Sequence, residues 1–174
     1  MMDSRGFLPV DWEQIPDLGL YMDQVVTYVS NVLLPLQGGA QKEILTASMV
    51  NNYVKQGLLP RPQGKKYTRE HLALILMIAF LKRTMAMDEI KKLFDVMGSD
   101  IRQSYESFAA CQNACIKTEH TQQRDAQQVM QQAIFVTMAH IDCLDALENL
   151  HQSIVPTEEK KPSDKKERRR KQND

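Results

Sequence analysis

Arg61, Lys65, Lys66 and Arg69 follow one another around a turn shaped by Pro60, Pro62 and Gly64. Just before them, the stretch from Thr46 to Gln56 carries Ser48, Asn51, Asn52 and Lys55, which a helix would hold on its outer side. Lys and Arg release counterions from a phosphate backbone, the main source of sequence-independent affinity for nucleic acid. Asn amides fit the donor and acceptor edge of adenine in the major groove. Ser and Tyr hydroxyls can hold backbone phosphates. The candidate DNA-contacting set is therefore Thr46, Ser48, Asn51, Asn52, Tyr53, Lys55, Arg61, Lys65, Lys66, Tyr67 and Arg69. Beside it stands the plainer reading: a lysine pair is commonly a solvated turn, and Tyr53 serves equally well in a core.

The elements that would position these residues are legible from punctuation and period. Thr46 is a suitable N-cap and Gly57 a suitable C′ residue. Between them Met49, Val50, Tyr53 and Val54 form an inner face. Leu58-Leu59 re-enters the core as a short strand, the Pro- and Gly-bearing wing follows, and Tyr67 closes it. Thr68 caps a second helix running to about Thr84, with Glu70 in its first turn, where the helix dipole favours an anion. A smaller helix starts near Ala86 or Asp88 and stops before Gly98. Upstream, Met22, Val25, Val26, Val29, Val32 and Leu33 recur at steps of three and four, which predicts a helix from about Leu20 to Leu34. Pro35 and Gly38-Gly39 mark a loop. Residues up to about Leu18 form an arm whose Phe7, Leu8, Trp12 and Ile15 pack back on the body.

From Ile101 to Ile154 there is neither Pro nor Gly. That predicts two helices or one kinked helix, with one stripe through Ile101, Tyr105, Phe108 and Cys115 and another through Met130, Ile134, Thr137, Ile141, Leu144 and Leu147. Beyond Pro156 the residues are charged and polar, the composition of a disordered tail. The expected divisions are an arm at 1–19, a helix-and-wing domain at 20–98, C-terminal helices at 99–155 for dimerisation or an effector, and a tail at 156–174.

The formal net charge of zero hides a basic centre. Between Lys55 and Lys92 stand nine cations against Glu70, Asp88 and Glu89, with acidic flanks on either side. Three Cys and no basic-then-apolar leader argue for reduced thiols in the cytoplasm. The longest apolar run, Leu72 to Leu81, is roughly half of a membrane span. Cys111 and Cys115, with His120, His140 and Cys143 nearby, invite the thought of a soft metal. The paired close-set Cys signature is missing, however, and no metal or cofactor is expected. No phosphate loop, carboxylate pair or activated nucleophile points to an enzyme. His71 is expected to pack or cap. Asp142, Asp145 and Glu148 make a solvated acidic face.

These residues resemble a known pattern. Asn52-Tyr53-Val54-Lys55-Gln56-Gly57-Leu58-Leu59-Pro60, then Lys65-Lys66-Tyr67, then Met87-Asp88-Glu89-Ile90, are similar to the winged helix-turn-helix of the MerR family over about residues 20–97. With Leu20-Tyr21-Met22-Asp23-Gln24 and Lys65 through His71, the whole looks like a bacterial domain family of unknown function built on such a core. The resemblance implies an all-α winged helix-turn-helix with a small β wing, followed by C-terminal helices. It further implies a bacterial transcription regulator binding double-stranded DNA as a homodimer, and an unidentified small effector. Asn51 stands where the family has an arginine, Asn52 where it has the first of two tyrosines, the wing aromatic is replaced near Gly64, and the loop before Thr46 is longer. These departures keep a second reading open: a winged-helix module that binds protein rather than DNA.

Overall fold

The computed structural model describes residues 9–36, 43–116 and 126–154. Phe7, Leu8, Gly38, Gly39, His120 and the tail from 155 onward lie outside the described residues. Among the described residues six helices follow in order: α1 Met22–Leu33, α2 Ala47–Lys55, α3 Arg69–Leu81, α4 Met87–Met97, α5 Ile101–Ile116 and α6 Ala126–Ile154. Trp12–Gln14 and Leu34–Leu36 form single turns of 3₁₀ helix. The fold is all-helical, and no strand occurs among the described residues.

Each boundary has a local cause. Tyr21 offers its N–H to Gln24 Oε1 at 3.0 Å as α1 begins. Thr46 Oγ1 accepts the Met49 N–H at 3.1 Å and so caps α2. At its other end Gly57 takes φ +75°. Leu58 donates to the Tyr53 carbonyl at 3.0 Å and Gly57 to that of Val54 at 3.2 Å, a Schellman closure. This closure is where a strand was expected: Leu58 and Leu59 are buried, but they serve as the hydrophobic end of a helix cap. At α3, His71 Nδ1 accepts the Thr68 N–H at 3.2 Å. Glu89 reaches back to the Ala86 N–H to start α4, and Asp100 Oδ1 accepts the Gln103 N–H to start α5.

The core is built around α3. Leu72 through Ile78 are all buried, so this helix is surrounded rather than amphipathic. α1 and α5 pack on it, α2 packs on α1, and α6 packs on α4. Ile15 of the arm, Tyr105 and Ala109 of α5, and Leu147 of α6 belong to the same buried cluster. The arm is held as expected, with Ile15 buried and Tyr105 donating its hydroxyl to the Val10 carbonyl at 2.7 Å.

Candidate nucleic-acid interface

Where a β wing was expected, the chain makes a tighter object. Leu20 and Tyr67 exchange N–H···O bonds of 2.9 and 2.8 Å, and Lys66 donates to Gln63 at 3.0 Å. Gly64 and Lys65 between them both have positive φ, 56° and 63°. That is the sign pattern of a type I′ turn, which twists with the chain on either side. Two isolated bridges replace a strand pair. A Cβ at Gly19, where the arm passes this turn, would stand 3.0 Å from Lys66 Cβ, so any larger residue there would have to push the lysine side chain aside.

The candidate residues divide. Ser48, Asn51 and Lys55 are exposed on α2, and Asn52 is half-buried. Arg61, Lys65 and Lys66 are exposed on the turn. Among the described residues, none of Lys55, Arg61, Lys65 and Lys66 forms an ion pair; the nearest charge-related contact is Lys66 Nζ, 5.7 Å from the Tyr21 ring.

Four residues of the set are engaged within the protein itself. Thr46 is engaged in the cap. Tyr53 is 1% exposed and Tyr67 4%, so neither ring faces outward. The helical period that puts Asn51 outside puts Tyr53 inside. Arg69 is turned toward the arm. Its Nε donates to the Ile15 carbonyl at 3.0 Å, Nη1 meets Glu13 at 3.3 Å, and Nη2 lies 3.7 Å from Asp17. Its guanidinium carbon is 5.9 Å from the Trp12 ring, and that of Arg102 is 5.8 Å from the same ring. Arg102 also binds Glu13, at 3.0 Å. Arg69 therefore straps the arm to α3.

Arg69→Ala is expected to cost about 2–3 kcal/mol, the scale of hydrogen bonds to a charged group that is largely shielded from water. Arg69→Lys should recover little of it, because an ammonium cannot span three acceptors as a planar fork does. Urea unfolding measures the loss. Unchanged stability in Arg69→Ala would mean the strap is decorative.

One cation near α2 had no signal in the sequence. Lys82, past the end of α3, places Nζ 5.5 Å from the Tyr53 ring centre. The fold brings the end of α3 close to α2, and sequence spacing does not announce it. A groove of about 460 Å³ runs behind the turn, lined among others by Arg61, Lys66, Glu70, His71, Leu74 and Ile101. Burial pulls the His71 pKa below its usual range, while Glu70 and the carbonyls of Arg61 and Pro60 oppose the shift. Its Nε2 is buried and faces the Pro60 and Arg61 carbonyls, near enough for their charge to act but without hydrogen-bond geometry. Cys111 and Cys143 are free, exposed thiols.

Residues 10–115 match the family described as Domain of unknown function (DUF1836). The chain belongs to this family. No curated protein and no solved structure matches it. The DUF1836 match takes in the arm from Val10 onward, the strap at Arg69, the I′ turn and α1 through most of α5, so these parts form one family unit. α6 lies outside the matched residues. No helix among the described residues is long and apolar enough to cross a membrane.

Proposed function

We propose that this DUF1836 protein binds double-stranded DNA through the outer face of α2 and the 60–67 turn, as a sequence-specific regulator of transcription in the bacterial cytoplasm. The carrying observation is Lys65. It is exposed, it has no carboxylate partner among the described residues, and it holds φ +63°. An L-residue in that region carries a cost on the order of 1–2 kcal/mol that Gly avoids and Asn reduces. A strained cation at the tip of a turn fits a ligand-gripping role. The contrast with Arg69, Lys92 and Arg102 supports it, since those three are tied to carboxylates. In this reading Lys65, Lys66, Arg61 and Lys55 hold phosphates, Ser48 positions, and Asn51 reads bases, with Asn52 reaching from a half-buried place. The MerR-like winged helix-turn-helix is the arrangement this reading assumes. A homodimer would set two such units about one helical turn of DNA apart. A small effector belongs to the same reading.

Duplexes selected from a random library would be titrated by fluorescence anisotropy across a salt series. Lys65→Gly should leave the protein at least as stable while weakening every duplex. Lys65→Gly with Lys66→Ala should lower the slope of log K against log salt by about two. Asn51→Ala should instead relax preference at one position, by about 1–3 kcal/mol. Arg69→Ala should leave the slope alone. Binding that ignores Lys65, Lys66 and Asn51 would sink the reading. It would favour the second reading, a protein-binding module, which the half-burial of Asn52 and the withdrawal of Tyr53 and Arg69 support.

A further inference from the structure

The two halves of α6 differ. Its C-terminal half lies on α4: Leu147 is buried, Glu148 pairs with Lys92, and His151 Nε2 stands 3.7 Å from Asp95. Its first half buries no described side chain. Every described side chain from Gln127 to Ala139 is exposed. Among them are Met130 at 64%, Ile134 at 57%, Phe135 at 67% and Met138 at 54%. At about 3.6 residues per turn, Met130 and Ile134 share one side while Phe135 and Val136 point to two others. A helix apolar on several sides is ordinarily enclosed.

We propose that this half of α6 is the docking surface of a second copy of the chain, the two copies pairing about a two-fold axis. Two observations favour a copy over another protein. Residues 126–139 contain no Asp, Glu, Lys, Arg or His. Near a two-fold axis each side chain meets its own kind, and any charge would meet a like charge. Gln127 and Gln131 suit such a meeting, because an amide donates and accepts and can pair with its own copy. Area agrees as well. The exposed apolar residues from Met130 to Met138 present on the order of 600 Å² per chain, most of the roughly 800 Å² that one partner brings to a standard interface. Nothing in this depends on whether the α2 face binds DNA.

The test is the mass of the full chain in solution, by sedimentation equilibrium across a micromolar range without nucleic acid. A dimer is expected. Ile134→Glu with Phe135→Glu should raise its dissociation constant at least about 100-fold, and Met130→Lys with Met138→Lys should do the same. Leu18→Glu, at an exposed apolar residue of the arm, should change nothing. The near-ultraviolet signal of the packed tyrosines should persist in every variant, since none of the substituted residues is buried. A monomer throughout the range would overturn the proposal. So would a dimer indifferent to both double substitutions, or a parent that purifies in equal ratio with a different protein.

Discussion

Tyr53→Ala is expected to lose about 3–5 kcal/mol, the range for removing a fully buried aromatic ring. Tyr53 is the largest of the fully enclosed side chains. Its carbonyl also receives both the Leu58 and the Leu59 N–H, at 3.0 and 3.2 Å, so the ring sits where the α2 cap turns back into the core. Domains of this size are commonly stable by about 5–15 kcal/mol, so the variant should stand near the edge of folding. Tyr53→Phe separates packing from contact. If the ring is what matters, Tyr53→Phe stays within about 1.5 kcal/mol of the parent, as a nearly volume-conserving change does. A hydroxyl that held a phosphate would instead give Tyr53→Phe normal stability and weaker duplex binding. Urea unfolding beside anisotropy decides, and a Tyr53→Ala protein as stable as its parent would refute the burial argument.

Most helix ends were readable in the sequence because their causes are local. Thr46, Gly57, Ala86 and Gly98 act within three or four residues of themselves, and a single chain segment contains the whole cause. The end of α3 came at Leu81 rather than about Thr84, where Lys82, Arg83 and Thr84 turn by bonds back to Ile78, Phe80 and Leu81. The wing was readable as a turn but not as a I′ turn, since a lysine at positive φ runs against residue preference. The candidate site was legible where exposure follows from helical period, as at Ser48, Asn51 and Lys55. It failed where a distant partner decides. Nothing near Arg69 in sequence announces Glu13, Asp17, Trp12 and the Ile15 carbonyl, so the sequence alone groups this cation with the lysine pair. The stripe through Met130, Ile134 and Ile141 was also visible, but period alone assigns an apolar stripe to a core. Only the three-dimensional arrangement shows that the body of this chain does not cover it.

Alkaline pH should unfold the protein over a narrow interval above about pH 10. Tyr28, Tyr53, Tyr67 and Tyr105 all have phenols whose pKa burial pushes up. Tyr105 is raised most, with Tyr28 and Asp11 adding negative neighbours to its burial. A phenol is charged when it loses its proton, and in the unfolded chain it does so near pH 10. Above that point the unfolded state binds fewer protons than the folded one, so stability falls as pH rises. The contribution is fully present below about pH 10 and is lost toward the raised folded values. Each phenol still protonated in the fold adds a slope of about 1.4 kcal/mol per pH unit. Tyr105, raised most, carries the largest share of this loss, and Tyr28, Tyr53 and Tyr67 add to it over the interval in which the fold keeps them protonated. Phenolate absorbance and helical circular dichroism, followed on one titration, should change together in a single cooperative step. Tyr105→Phe lowers stability at neutral pH, because the bond to the Val10 carbonyl is lost, yet its stability should decline less steeply above about pH 10, by about 1.4 kcal/mol per unit. Phenols that titrate near pH 10 while the helices persist would show that water reaches these rings in the folded chain, and the enclosed core around α3 would have to be redrawn.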